Sequence, residues 1–245
     1  MPLFSTVTGN YFAGKSITGF THDGLVTYLD AANTQSYSGA GTMWHDLSGY
    51  GNHATLQSGS VNFQSGYFNL NQQYFSTGQL FTGRGPQSFS LGVWIQTNLN
   101  SSYGKIIGFE NAPVGTGSLK YDRMIYMSSD YRLHFGVFDN DIIVLSSNAS
   151  YNDNLWHYAT ATYSESDKIM RFYIDGELVS EQSDVTYAQR YAGYWRIGGY
   201  KLIGWPYVDN NNYWSGNYAQ VQIYNRELTS YEILGNYKSA QNSFQ

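Results

Sequence analysis

A run of aromatic and amide side chains between residues 187 and 217 has the chemistry that sugar binding requires. Trp205 and Tyr207 are followed closely by Asp209, Asn210 and Asn211. The C–H faces of a pyranose ring pack on aromatic rings, and its hydroxyls hydrogen-bond to amides and carboxylates. We therefore expect a glycan-binding loop in which Trp205 and Tyr207 are exposed.

Tyr191 lies in the same run and completes the candidate glycan-binding set. Aromatic residues also fill the cores of β-sheet proteins, so not every ring in this run serves binding. We expect Trp195 and Trp214 to be core residues. Only part of the run suits a strand, and the glycine and proline near Trp205 predict a long loop over residues 204–212.

A second candidate site lies at Asp139, Asn140 and Asp141, where three oxygen-bearing side chains follow one another. Calcium takes six to eight oxygen ligands, and Asp139 and Asp141 would supply some of them. Asx residues also form the turns of hairpins, and no EF-hand spacing supplies further ligands. The calcium site and the hairpin turn both stay open, and no other cofactor is expected.

The sequence lacks the common catalytic motifs. Retaining glycosidases need two carboxylates about 5 Å apart, whereas the nearest run, Glu165-Ser166-Asp167, falls in a predicted turn. The five histidines show no H-E-x-x-H spacing, and no G-x-S-x-G or phosphate-binding glycine loop is present. A lyase that assembles Tyr and His from distant strands has no local motif and stays an alternative. We expect no catalysis.

Composition narrows the possible partners. The 245 residues carry a net charge of −5, only 13% are charged, and Lys and Arg are scattered. Nucleic-acid binding needs a clustered basic face, so it is not expected. Cysteine is absent, which excludes disulfides and thiolate metal sites. No stretch of 18 apolar residues predicts a membrane span, and the first twenty residues do not resemble a Sec-type signal.

The elements that must position these side chains are β-strands and one helix. Residues 156–163 alternate with a period of two, as do residues 170–174, which predicts two strands. Asp175-Gly176 suits a two-residue hairpin turn into a third strand, residues 177–180. Thr229 and Glu232 have the spacing of a capping box, which predicts a short helix with one side formed by Tyr231, Leu234 and Tyr237.

Several of these segments resemble known domains. WHYATATY and MRFYIDGELV, at residues 156–163 and 170–179, look like the central meander of laminin G-like domains, within the concanavalin A-like jelly-roll group. GLVTYLDA, WHDLSGYGNHATL, FSLGVWIQT, YWRIGG and WSGNYAQVQIYNRELTSYEILGNYK extend the resemblance over residues 24–238. It implies an all-β fold, a two-sheet antiparallel jelly-roll sandwich with a short C-terminal helix. Ala219 stands where that pattern often carries an acidic residue, which argues against a family-type calcium site.

The resemblance also implies a domain boundary. Residues 24–245 are expected to form the laminin G-like domain, with residues 1–23 as an N-terminal arm or an extra edge strand. The arm contains enough apolar residues to pack on its own sandwich or on a neighbouring subunit. Asp46 and Ser48 lie in a dense turn and are expected to accept backbone N–H bonds there.

Two functional hypotheses follow from the resemblance. Stand-alone modules of this kind look like those of phage structural proteins, which implies a non-catalytic virion protein: a capsid decoration, spike or tail-associated subunit. Its expected partners are other virion proteins, contacted through the arm, and host-surface glycans, and a homo-oligomer is compatible with this role. The alternative is a stand-alone extracellular lectin-like module. A polysaccharide lyase or glycoside hydrolase ranks below both.

Overall fold

The computed structural model describes residues 19–60, 62–78, 81–98, 103–115, 117–199, 201–208 and 213–244. These residues form strands and one helix, α1 (Ser230–Gln241). The strands are β1 (Leu25–Asp30), β2 (Met43–Trp44), β3 (Ala54–Leu56), β4 (Phe63–Gln64), β5 (Tyr67–Leu70), β6 (Tyr74–Thr77), β7 (Phe89–Gln96), β8 (Gly104–Glu110), β9 (Tyr121–Met127), β10 (Arg132–Asp139), β11 (Asp141–Ser150), β12 (Trp156–Ser164), β13 (Ile169–Ile174), β14 (Glu177–Gln182), β15 (Tyr194–Gly198) and β16 (Gly216–Tyr224).

The strands build two antiparallel sheets that face each other. Sheet A has the order β14-β13-β12-β7-β16-β5-β4, and β1 also pairs with β16. Sheet B has the order β11-β10-β9-β8-β15-β6-β3-β2. The predicted all-β sandwich with one short C-terminal helix is confirmed.

The core lies between the sheets because alternate residues of each strand point inward. In β10, Leu133, Phe135 and Val137 are buried there, so His134 and Gly136 belong to the outer face of sheet B. Trp195 and Trp214 are fully buried in this core, which confirms the expectation for both.

The central meander follows the predicted pattern. The turn residues Asp175 and Gly176 have φ of 53° and 84°, the positive values that a two-residue hairpin requires. β13 pairs with β12, and β12 pairs with β7, so the β13–β14 hairpin forms one edge of sheet A.

Helix α1 begins with the predicted capping box. The side chain of Thr229 accepts the amide of Glu232, and the Glu232 carboxylate accepts the backbone N–H of Thr229. The side formed by Tyr231, Leu234 and Tyr237 is partly covered and is not the most deeply buried side of the helix. Ile233, Gly235, Asn236 and Ala240 are buried, whereas the side chains of Tyr231 and Leu234 are only partly covered. The helix packs on the outer face of sheet A, where Tyr237 stacks on Trp94 with a centroid distance of 5.6 Å.

The N-terminal part of the chain is described from residue 19. Phe20 packs with Tyr28 at a ring distance of 4.7 Å, and the amide of Thr21 donates to Asn236 Oδ1 at 2.8 Å. The rest of the predicted arm lies outside the described residues, and a domain boundary at residue 23 stays a prediction. Within the described residues, no helix combines the length and apolar character that crossing a bilayer would require.

The turn that follows β2 is organised by one carboxylate. Asp46 accepts the backbone amides of Tyr28, Ser48 and Asn52, each at 2.8 or 2.9 Å. Ser48 accepts the amide of Tyr50 at 3.3 Å. The predicted structural role of Asp46 and Ser48 is therefore confirmed.

Candidate functional site

Leu202 and Trp205 pack on the outer face of sheet B against Met124 and Tyr126, and Trp205 is buried there. Only 5% of Trp205 is exposed, so the expectation that it is exposed was wrong. A methyl group added at Gly136 would lie 2.2 Å from Cζ3 of the indole. The missing side chain of Gly136 thus leaves a gap that the Trp205 ring fills, with Tyr126 and Leu202 in the same apolar cluster.

Tyr207 is exposed, as the sequence predicted, with 63% of the residue accessible to solvent. Its ring lies flat on His134, with a centroid distance of 4.9 Å and an interplanar angle of 17°. His134 in turn stacks on Tyr126 at 5.0 Å. The three rings form a stack, and Tyr207, its outer member, carries the solvent-exposed surface. We call this surface the Tyr207 platform.

The backbone and the underlying ring fix the orientation of the Tyr207 platform. Tyr207 has φ of 65°, a left-handed conformation that non-glycine residues seldom adopt outside special sites. The two nitrogens of His134 contact the hydroxyls of Ser146 and Ser128 at 2.9 and 2.7 Å. Burial lowers the pKa of His134 to about 4. The imidazole is therefore neutral at neutral pH, and the platform rests on an uncharged ring.

Of the predicted glycan ligands, the structure describes Trp205, Tyr207 and Tyr191. Asp209, Asn210 and Asn211 lie outside the described residues. Tyr191 is 7% exposed and donates to the carbonyl oxygen of Phe109 at 2.7 Å. It is therefore a buried structural residue, which corrects its assignment to an exposed sugar-binding surface.

Tyr191 belongs to a buried ion network that sequence reasoning missed. Its hydroxyl also contacts a carboxylate oxygen of Asp122 at 2.7 Å, and Asp122 pairs with Arg123. Burial raises the pKa of Asp122 and outweighs the opposing effect of Arg123. Arg123 donates to the carbonyl of Pro86 at 2.8 Å, so the network ties β9 to two loops.

A second buried network holds the loop that follows β8. Glu110 pairs with Lys105 and with Arg196, and all three side chains are fully buried. Burial, followed by the charge of Arg196, lowers the pKa of Lys105. Arg196 also donates to the carbonyl of Gly115 at 2.9 Å and lies over the ring of Tyr74. These ion pairs stabilise the packing of the loop against β8 and β15. They could not be predicted from the sequence, because Lys105, Glu110 and Arg196 are not part of a charged cluster there.

The Asp139–Asp141 segment forms the turn between β10 and β11, with φ of 55° at Asn140. Asp139 accepts the amide and the hydroxyl of Thr186 at 2.6 and 2.7 Å, while Asp141 accepts the amide of Ile142 at 2.7 Å. In the part of the chain that the structure describes, no group of three or more acidic, His or Cys side chains is placed to hold a metal ion. The hairpin alternative is what the structure contains, and calcium binding stays an untested alternative.

His157 is held between two carboxylates. Its Nδ1 contacts Asp175 at 2.8 Å and its Nε2 contacts Asp153 at 3.1 Å. Burial by itself lowers the pKa of His157, but the hydrogen bonds and charges of Asp175 and Asp153 together raise it. Asp175 also accepts the amide of Tyr158 at 2.8 Å. The cluster fastens the start of β12 to the turn after β13.

A family model described as the concanavalin A-like lectin/glucanases superfamily, of the laminin G type, matches residues 66–234. The chain belongs to this superfamily. A comparison of its sequence with curated proteins finds no match.

Solved structures of several proteins have a similar fold. The binding domain of Paraclostridial mosquitocidal protein 1 is 17% identical with a TM-score of 0.65, and the match covers 90% of this chain and 53% of that one. Trypanosoma rangeli sialidase in complex with sialic acid is 16% identical with a TM-score of 0.62, over 94% of this chain and 35% of the sialidase. A botulinum neurotoxin serotype D/C binding domain is 20% identical with a TM-score of 0.59, over 94% and 53%.

The chain thus spans about half of each toxin binding domain and about a third of the sialidase. At such low identity the similarity establishes the sandwich and leaves the ligand of this chain to be argued from its own residues.

Proposed function

We propose that this chain is a non-catalytic adhesion domain that binds carbohydrate through the Tyr207 platform. The observation that carries the proposal is the exposed ring of Tyr207, held flat on His134 at 4.9 Å, on a lectin-like sandwich. A ring whose orientation is already fixed loses little conformational entropy when a sugar packs on it. The free face of Tyr207 matches the apolar C–H face of a pyranose.

Two carboxylates of the sandwich, those of Glu110 and Asp122, are unavailable for glycoside hydrolysis. Hydrolysis needs two carboxyl groups on opposite sides of one glycosidic bond. Glu110 and Asp122 are both fully buried and paired with cationic side chains. Neither carboxylate is presented to a substrate at the surface.

A glycan array tests the proposal. We expect Tyr207→Ala to weaken retention of the bound oligosaccharide about threefold to tenfold, since an aromatic contact contributes about 0.5–1.5 kcal/mol beyond its area. Melting should hardly change, because substitutions of exposed residues seldom shift stability by more than about 0.5 kcal/mol.

Tyr50→Ala is the matched control because Tyr50 is equally exposed, at 64%, in a different loop. Equal loss in both variants would indicate a nonspecific effect of removing tyrosine. If the array retains no oligosaccharide, or if Tyr207→Ala retains as much as the wild type, the proposed function is wrong.

We also propose that the domain is carried on the surface of a virus particle, as a capsid decoration, spike or tail-associated protein. This part rests on the sequence resemblance to laminin G-like modules of phage structural proteins. Residues 1–23 would contact other virion proteins, and the platform would face host glycans. Mass spectrometry of purified particles should find the chain in stoichiometric amount, and its absence from them would leave the extracellular lectin alternative.

A further inference from the structure

A row of amide side chains crosses the outer face of sheet A. Asn62 donates to Asn69 at 3.4 Å, Asn69 donates to Asn217 at 2.8 Å, and Asn217 donates to Gln96 at 2.8 Å. Gln96 then donates to the backbone carbonyl of Asn154 at 3.0 Å. We call Asn62, Asn69, Asn217 and Gln96 the amide row.

Strand pairing places these side chains next to one another on one face. Asn69 is the cross-strand partner of Asn217, and Asn217 is that of Gln96. Gln96 in turn pairs with Trp156, so the row ends at an indole. Five neighbouring positions at the strand spacing of about 4.8 Å extend over roughly 19 Å, the length of a short oligosaccharide.

The amides keep hydrogen-bonding capacity for a ligand. Each side-chain amide has two N–H donors and two acceptor lone pairs, and a bond to each neighbour in the row uses one of each. The members are half-buried or exposed, so solvent reaches their side chains. The bonds along the row orient the amides before any ligand arrives, which lowers the entropic cost of binding.

The surroundings of the row are polar without charge and include aromatic rings. An open groove of about 500 Å³ is lined by Ser60, Asn62, Asn69, Asn71 and Gln73, all uncharged. At the other end, the half-buried Trp156 contacts the ring of Tyr67 at 5.6 Å. Alternating donors and acceptors beside an aromatic surface match hydroxyl groups and C–H faces, and a carboxylate on the ligand would find no cation among these residues.

We propose that the amide row is a second carbohydrate-binding site, one that takes a neutral oligosaccharide lying across the strands. This inference rests on the proposed carbohydrate-binding function and assigns it a second surface with its own specificity. The Tyr207 platform lies on sheet B, whereas the amide row lies on sheet A, so the two sites can be removed separately.

The test uses an array of neutral oligosaccharides and their sialylated counterparts, with the intact chain as Tyr207→Ala, Asn217→Ala, and both together. We expect Tyr207→Ala to keep part of the binding to neutral oligosaccharides, and Asn217→Ala to weaken this part about threefold to tenfold, the effect of a lost hydrogen bond. Asn62→Ala, at the exposed end of the row, should act in the same direction without a risk to folding. Asn148→Ala, at an exposed position of β11, is the matched control and should bind like the wild type.

The outcomes separate the two proposals. If Tyr207→Ala alone removes all binding, the platform stands and the amide row is refuted. If Asn217→Ala and Asn62→Ala bind neutral oligosaccharides as Asn148→Ala does, the row is likewise refuted. Retention of sialylated oligosaccharides only, lost in Tyr207→Ala, would support the platform and refute the row, and retention of nothing would refute both.

Discussion

The substitution Gly136→Ala would test whether the packing of Trp205 supports the Tyr207 platform. The added methyl carbon would lie 2.2 Å from Cζ3 of Trp205. Carbon atoms in contact prefer about 3.5–4.0 Å, so one of the two groups must move by more than 1 Å or so. The indole is enclosed by Met124, Tyr126 and Leu202 in its apolar cluster, so it has little room to move within its site.

The expected cost follows from these contacts. Overpacking of a well-filled site costs about 1–3 kcal/mol. Alanine in a strand gains about 0.5–1 kcal/mol over glycine, which offsets part of that cost. Because the overlap exceeds about 1 Å, we take the upper half of the overpacking range, about 2–3 kcal/mol. The net loss is then about 1–2.5 kcal/mol, which for a chain of this size lowers the melting temperature by about 2–10 °C. Tyr207, two residues after Trp205, should lose its fixed orientation, so retention of glycans should fall as well.

Thermal unfolding measures this effect, and a double-mutant cycle assigns it to the contact between the two residues. Gly136→Ala should cost little in a Trp205→Ala background, because no indole is left to clash with the methyl. Gly117→Ala is the control, since no atom lies within 4 Å of the methyl it would add. A wild-type melting temperature for Gly136→Ala, or an equal cost in both backgrounds, would refute the reasoning.

Two further predictions concern titration and metal. The raised pKa of His157 means that its contribution to stability is fully present below about pH 6.5 and is lost as the pH rises through its folded value. Urea unfolding should show a larger cost of His157→Gln at about pH 5.5 than at about pH 9, and equal costs would mean that its pairing with Asp153 and Asp175 does not depend on its charge. EDTA should leave the melting temperature unchanged, because Asp139 is already bonded by Thr186; a drop that calcium reverses would instead establish a metal site.

The predictable parts of this fold are those encoded by neighbouring residues. The Asp175-Gly176 turn, the Thr229 capping box and the Asp46 turn each depend on side chains that reach their own or adjacent backbone. The period-two patterns predicted the strands because alternation of side chains is also a property of a single segment. These features can be predicted without knowing which strands are neighbours in a sheet.

The errors arose where distant segments meet. Trp205 has the sequence context of an exposed loop residue, and only the pairing of β10 within sheet B reveals that Gly136 leaves space for its ring. Burial of a large apolar ring stabilises by about 1.5–3 kcal/mol, enough to draw the loop onto the sheet. Tyr191 was misassigned for a similar reason, since Asp122 and Phe109 lie on other strands.

The amide row could not be predicted from the sequence either, because its members come from distant segments. Three of its members lie on separate strands and Asn62 lies just before β4, and only the register β5-β16-β7 brings Asn69, Asn217 and Gln96 side by side. Helix α1 covers the neighbouring part of this face, where Tyr237 stacks on Trp94. The helix thus shields an apolar part of sheet A, and the neighbouring part that carries the amide row has uncharged hydrogen-bonding groups. A surface of that composition remains compatible with water and still offers a neutral sugar oriented donors and acceptors.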